Sequence, residues 1–135
     1  MKVPEGETTF KDLVHGQITI QNHVIDDQVL MKSDGYPTYH FANIVDDYLM
    51  RITHVIRGYE WLSSTPKHLM LYKMFDIEPP LYAHLPLIVD MKGKKLSKRL
   101  GDISVKAFRE KGYLPEALIN AVSILGWSPP VHNDP

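Results

Sequence analysis

The sequence predicts an α/β unit followed by a smaller helical one. Three observations carry that expectation. Strand-like and helix-like periods alternate from Gln17 to Val89, separated by Pro and Gly. Beyond Gly101 only helical signals remain. The 135 residues are 44% apolar and 23% charged, which suits one small domain with a core rather than a disordered chain.

The elements follow in chain order. Residues 1–16 are polar, contain Gly and Pro, and show no clear period. Ile18 and Ile20 alternate with polar residues, and Val29-Leu30-Met31 forms a compact apolar run after Asp26-Asp27, so short strands are expected between Gln17 and Met31. Ser33-Asp34-Gly35-Tyr36-Pro37 is a dense turn signal. From Thr38 the period becomes helical: Phe41, Ile44, Val45, Tyr48, Leu49 and Ile52 make one apolar stripe, with Asp46, Asp47 and Arg51 off it. Val55-Ile56 reads as a short buried strand. Thr65 is placed to cap the next helix and Pro66 suits its first position. Leu69, Tyr72, Met74 and Phe75 supply its apolar side, and Pro79-Pro80 ends it. Leu81 to Val89 returns to strand, with Pro86 marking an edge or a bulge. After a basic loop over Met91 to Gly101, Ser104 caps a helix that stops at Gly112. Pro115 opens another that runs to Leu125, with Gly126 as its stop.

Composition narrows the function classes. Lys plus Arg is 15 and Asp plus Glu is 16, a net charge of -1, so a wholesale cationic coat for nucleic acid is excluded while a local basic patch is not. There is no cysteine, hence no disulfide scaffold, thiolate metal site or cysteine nucleophile. No run approaches the roughly 18 apolar residues of a spanning helix, and MKVPEGETTFKDL is neither a signal peptide nor a transit sequence. The seven histidines include no i, i+4 pair, so no protein-bound metal is expected. His40, His54 and His84 read as hydrogen-bonded packing residues. No G-x-S-x-G elbow or G-x-G-x-x-G fingerprint occurs.

The most unusual stretch is Lys92-Gly93-Lys94-Lys95-Leu96-Ser97-Lys98-Arg99, with five cations in eight residues. Charge alone leaves two readings, a solvated loop or a phosphate clamp in which two lysines present ammonium groups to a polyphosphate while Leu96 anchors the loop. It is not a Walker loop, because Gly, Lys and Ser stand in the wrong order.

Lys95-Leu96-Ser97-Lys98-Arg99 resembles the second signature loop of class I aminoacyl-tRNA synthetases, which folds over ATP and stabilises the pyrophosphate leaving group. Ser33 to Asn43 (SDGYPTYHFAN) with Asp46-Asp47, and Thr53 to His68 (THVIRGYEWLSSTPKH), are similar to the glutamyl-tRNA synthetase family in particular. All three blocks are correctly spaced, and the resemblance covers residues 28–127.

The resemblance implies roles, each beside a plainer alternative. Arg57 matches the residue that pairs with the side-chain carboxylate of substrate glutamate, a task suited to a guanidinium fork; the alternative is an ordinary ion pair. Tyr39 and Asn43 match further glutamate contacts, four apart on one helix face; by itself Tyr39 reads as a core aromatic. Glu60 and Trp61 match residues on the nucleotide side of the pocket, where the alternatives are a capping acid and a packed aromatic. His84 to Ile88 matches the strand whose backbone receives adenine, with Leu87 and Ile88 closest. Lys95, Ser97, Lys98 and Arg99 match the ATP-phosphate loop, with Lys95 and Lys98 in the catalytic role. Asp46-Asp47, on the polar side of a helix, reads as a solvated face.

The implied fold is the second half of a class I synthetase nucleotide-binding (Rossmann-like) domain followed by the start of a helical stem-contact domain. The expected boundaries are 1–33, the tail of an inserted acceptor-stem-binding domain; 34–99, the half-fold; and 100–135, the helical start. The implied activity is glutamate-tRNA ligation. ATP with accompanying Mg2+, glutamate and tRNA-Glu are the substrates, in the bacterial cytoplasm or the mitochondrial matrix and not at a membrane.

The sequence departs from the family at one point. The first signature, His-x-Gly-His, is absent, and Val14-His15-Gly16-Gln17 does not fit it. The chain is therefore expected to be an internal fragment, inactive alone. With half a sheet unpaired it is expected to self-associate, and sedimentation at micromolar concentration checks that: a compact monomer contradicts it. Three rivals stand beside this reading. A glutaminyl enzyme is opposed by Arg57, since a neutral amide calls for no cation. The shorter glutamyl-queuosine paralogue is opposed by the helices after Gly101. A non-catalytic tRNA- or protein-binding module is favoured by the missing signature and opposed by the intact basic loop and glutamate contacts.

Overall fold

A computed structural model describes residues 1–89, 93 and 104–127. The chain divides into two compact units, Met1–Leu87 and Ile88–Pro135. The first holds β1 (Glu7–Asp12), β2 (Gly16–Gln21), α1 (Tyr39–Leu49), β3 (His54–Gly58), α2 (Thr65–Met74) and β4 (Leu81–Leu85). The second holds α3 (Val105–Glu110) and α4 (Pro115–Ser123). The α/β class is as the sequence predicts.

The strands form one mixed sheet in the order β2-β1-β4-β3. β1 and β2 are an antiparallel hairpin. β3 and β4 run parallel through five register pairs, among them Arg57 with His84, joined by the α2 crossover that parallel strands require. β1 meets β4 at a single pair, Asp12 with Tyr82, extended by the Leu13 N–H donating to the Tyr82 carbonyl at 2.8 Å. Ile44 of α1 and Leu71 and Tyr72 of α2 form the core, with Met1, Leu30 and Ile77 packed against it.

Several elements differ from their sequence reading. β1 lies where no period is visible. Its inward face is Thr8, Phe10 and Asp12, so only one of the three positions is apolar. Val29-Leu30-Met31 forms no strand: Met31 bridges to Pro37 across the turn and Leu30 packs against the core, while Val29 and Met31 stay exposed. β3 is an edge strand rather than a buried one, with Ile56 64% exposed. In α1 only Ile44 of the predicted stripe is buried. In α2 the buried residues include His68, Met70, Leu71 and Tyr72, whereas Met74 and Phe75 are exposed. Thr65 does not cap α2: a 3-10 turn, Tyr59–Ser64, runs straight into the helix, and the Thr65 side chain points inward instead.

Three helices end in one way. The Ile52 N–H donates to the Asp47 carbonyl, Ile77 to Tyr72 and Tyr113 to Phe108, each closing a six-residue loop around a left-handed residue. At α3 that residue is Gly112, as the sequence predicts, and the Ser104 Oγ accepts from the Ala107 N–H at 3.2 Å at the other end. At α1 and α2 it is Arg51 and Asp76, both at φ 56°. A left-handed non-glycine residue costs about 1–2 kcal/mol, and α2 stops there, ahead of Pro79.

Candidate functional site

A groove of about 770 Å³ between α3 and α4 is lined mainly by apolar side chains such as Phe108, Tyr113, Leu118 and Val122. It offers little chemistry. Polar groups converge instead at the C-terminal ends of β3 and β4, around Arg57.

Arg57 sits at the end of β3, half-buried, with its guanidinium carbon 5.2 Å from the centre of the Tyr82 ring. Its Nε–H donates to His84 Nε2 at 3.0 Å, across the register pair that β3 and β4 form. Nη1 donates to His68 Nδ1 at 3.3 Å. Nη2 donates to the Thr65 hydroxyl at 2.8 Å and to the Trp61 carbonyl at 3.3 Å. Thr65 and His68 face it together because they stand three apart at the start of α2. No carboxylate among the described residues forms an ion pair with Arg57. Burial lowers its pKa, opposed by Tyr82, Tyr39, Asp47 and Asp12.

These contacts fix the proton positions. An arginine nitrogen only donates, so His84 Nε2 and His68 Nδ1 both accept. The His84 proton is then on Nδ1, which donates to Asp12 Oδ2 at 2.7 Å. The His68 proton is on Nε2, which donates to His40 Nδ1 at 2.9 Å. Burial, followed by the charge on Arg57, pulls the His68 pKa down to about 3, so this imidazole is neutral. Burial also lowers His40, helped by Lys67 and Arg57. The Asp12 carboxylate, fully buried, accepts from the backbone N–H groups of Val14 at 2.9 Å and His15 at 3.0 Å, and from that of His84. Burial alone would push it up, but the His84 side chain and these N–H groups hold it down at about 2.

The structure brings some of the sequence-predicted residues together. The Tyr39 ring lies 5.1 Å from Trp61, whose carbonyl Arg57 touches, so Arg57, Trp61 and Tyr39 form one cluster. Asn43 lies one turn further along α1, and its Oδ1 is buried without a hydrogen-bond partner among the described residues. Glu60 folds its carboxylate back over Gly58, where an added Cβ would collide with it. Leu87 is half-buried and Ile88 exposed, both beyond the end of β4. Asp46 is exposed, while Asp47 is half-buried and its pKa is raised by that burial against the pull of Arg57. Lys95, Ser97, Lys98 and Arg99 lie outside the described residues. Of the three histidines read as packing residues, His84 is fully buried, His40 pairs with His68, and His54 is exposed against the Thr53 hydroxyl. Among the described residues no group of three His, Cys, Asp or Glu could hold a metal, and no helix is long and apolar enough to cross a membrane.

Sequence reasoning missed Asp12, Thr65, His68 and Tyr82 as parts of this cluster. A faint signal existed for two of them: Thr65, His68 and Tyr72 stand at i, i+3 and i+7, one helix face, hidden because two of the three are polar.

Comparison with known proteins places the sequence. The family model described as tRNA synthetases class I (E and Q), catalytic domain, matches residues 1–134. A glutamate–tRNA ligase of Clostridioides difficile strain 630 is 58% identical over 130 residues, 96% of this chain and 26% of the relative. One from Chlorobium phaeobacteroides strain BS1 is 57% identical over 129 residues, again 26% of its length. The chain thus spans about a quarter of the curated relatives it matches. The crystal structure of the glutamate-tRNA synthetase from Elizabethkingia anophelis superposes with a TM-score of 0.84 at 45% identity, over 96% of this chain and 30% of the other. A glutamate tRNA ligase from Elizabethkingia meningosepticum, solved in complex with its amino acid, gives 0.84 at 46% over the same shares.

Proposed function

The chain belongs to the class I tRNA synthetases for glutamate and glutamine, catalytic domain, and from that premise we propose that it supplies the glutamate-selecting half of a glutamate–tRNA ligase pocket. The observation that carries this reading is a half-buried guanidinium whose hydrogen-bond partners among the described residues are all neutral. A half-buried cation with no ion-pair partner among the described residues is costly, and an incoming carboxylate lowers that cost by taking two parallel N–H donors. Four of the five Arg57 N–H groups have partners. One Nη1–H is left without a partner among the described residues, beside an Nη2 bond to Trp61 that is long enough to exchange. Glutamate fits this edge; glutamine presents a neutral amide to it. Tyr39 walls the cluster against Trp61, and Asn43 Oδ1 offers an acceptor to a ligand donor.

In the complete reaction the α-carboxylate of glutamate attacks the α-phosphate of ATP, pyrophosphate leaves, and the acyl group passes to the terminal ribose of tRNA-Glu. ATP arrives with Mg2+ as substrate. Lys95 and Lys98 offset charge developing on the phosphates, with Ser97, Arg99, Glu60, Trp61 and the backbone at Leu87 and Ile88 lining the nucleotide. The proposed boundaries remain 1–33, 34–99 and 100–135, and the proposed compartment is that of translation, the bacterial cytoplasm or the mitochondrial matrix.

Titrating the 15N-labelled chain with glutamate and with glutamine tests the reading. Arg57 side-chain signals are expected to shift with glutamate at a Kd of about a millimolar and at least tenfold more weakly with glutamine. Equal responses to the two would refute it. In an aminoacylation-competent protein carrying this sequence, Lys98→Ala is expected to lower kcat for glutamate activation by about ten- to a hundredfold with little change in glutamate affinity. A change confined to glutamate KM contradicts the assigned role.

A further inference from the structure

Asp12 and His84 lie beneath Arg57 and have no part in the binding proposed above. Their geometry does something that a packing role does not require. Free imidazole can carry its proton on either nitrogen. With the proton on Nε2, His84 would aim an N–H at the Arg57 Nε–H, which approaches to 3.0 Å. Asp12 decides between the two forms. Its carboxylate can only accept, it lies 2.7 Å from Nδ1, and it is itself fixed by the backbone N–H groups of Val14, His15 and His84. The proton is thereby held on Nδ1, and Nε2 is left as an acceptor for the Arg57 Nε–H at 3.0 Å, with the Thr65 hydroxyl also 3.2 Å from it.

The chemistry of the acceptors matters as much as their placement. A carboxylate beside Arg57 would orient it equally well but would also neutralise it. Here the orienting groups are imidazoles, and the negative charge of Asp12 stands one ring further away. It still supports the cation, as does Tyr82, without occupying the guanidinium edge.

We propose that Asp12 and His84 are positioning residues that act through Arg57, with His68 as a second neutral acceptor, so that the guanidinium is held rigid, fully charged and open on its Nη edge to the side-chain carboxylate of an amino-acid ligand. This rests on the glutamate reading above but is tested separately from it. The pair acts on specificity: it supports discrimination between a carboxylate and a carboxamide ligand, not general affinity for amino acids.

The test uses the full 135-residue chain, 15N-labelled. Long-range 1H–15N correlation reads the His84 tautomer, and the Arg57 Nε–H signal reports whether the guanidinium is held. The wild type is expected to show the Nδ1–H tautomer and a slowly exchanging Arg57 Nε–H. Asp12→Asn is nearly isosteric but can donate to Nδ1. It is expected to move the His84 proton to Nε2, abolish the protected Arg57 signal and lower glutamate affinity about tenfold while leaving glutamine binding unchanged. His84→Gln keeps an acceptor for Arg57 without needing Asp12 and is expected to retain most of the glutamate preference, which covers the case in which Asp12→Asn fails to fold. The proposal is overturned if a folded Asp12→Asn keeps the Arg57 signal and the glutamate-to-glutamine ratio, or if His84→Gln loses both amino acids equally. If the wild type ignores glutamate, the functional reading fails, and the tautomer and Arg57 signals of wild type and Asp12→Asn still decide whether the pair positions Arg57.

Discussion

Arg57→Gln is expected to lower glutamate affinity by two to three orders of magnitude while changing glutamine affinity by less than about threefold, so that the preference for glutamate collapses. The magnitude follows from the environment. Truncating one member of a desolvated, hydrogen-bonded charge pair costs about 2–5 kcal/mol, because the partner charge is left buried and unpaired. A glutamine side chain at position 57 can still donate one bond toward His84 or Thr65, but it carries no charge and no fork. Arg57→Lys separates the two contributions. It keeps the charge and loses the planar donors that reach His84, His68 and Thr65 together. It is expected to fall between wild type and Gln, with the preference reduced rather than abolished. Competitive titrations of the three proteins with glutamate and glutamine provide the check. Retained glutamate preference in Arg57→Gln shows that the carboxylate is read elsewhere.

How far this site was legible in the sequence depends on which forces act locally. β2 was readable because Ile18 and Ile20 alternate and face one side. β1 was not, because its inward Asp12 is stabilised by His84, 72 residues away, and no local pattern marks a carboxylate as a core residue. The same loop closure ends α1, α2 and α3, yet only α3 showed its stop, since Gly112 advertises the left-handed conformation while Arg51 and Asp76 adopt it against their own preference. The stripe of α1 was correct in period and wrong in burial, because exposure of Val45, Tyr48 and Leu49 is decided by what packs alongside rather than by spacing. At the site, Arg57, Tyr39, Asn43 and Trp61 were found through family motifs, and three of them do cluster. The histidines that hold Arg57 lie on α2 and β4: His84 meets it through the β3–β4 register, which its sequence spacing does not show, and His68 through an α2 face whose polar residues left only a faint signal.

Stability is expected to fall steeply as the pH drops below about 6.5, well before ordinary carboxylates titrate. His68 has a folded pKa of about 3 against an ordinary 6.5, and Asp12 one of about 2 against 3.8. Both are depressed, so between each pair of values the unfolded chain binds more protons than the folded one, and stability rises with pH there. The His68 contribution is fully present above about pH 7 and is lost progressively from 6.5 down toward 3; that of Asp12 is lost between 3.8 and 2. His68 is 1% exposed, so solvent screening gives little relief, and a shift of more than three units corresponds to on the order of 4 kcal/mol. That is a large share of the roughly 5–15 kcal/mol that holds a small domain together. His40, also depressed, adds in the same direction. Denaturant unfolding at pH 7.5, 6, 5 and 4 is expected to show a loss of about 1.4 kcal/mol per pH unit below 6. His68→Gln should flatten that slope, because its carboxamide can accept from Arg57 and donate to His40 without titrating. An unchanged midpoint between pH 7.5 and 5, or an equal slope in His68→Gln, shows that His68 is not held neutral by the fold. The same coupling links stability to the site: protonating His68 in the folded chain, near pH 3, sets a second cation against Arg57, so its effect on glutamate binding is expected only at the acid end of the window in which the fold weakens.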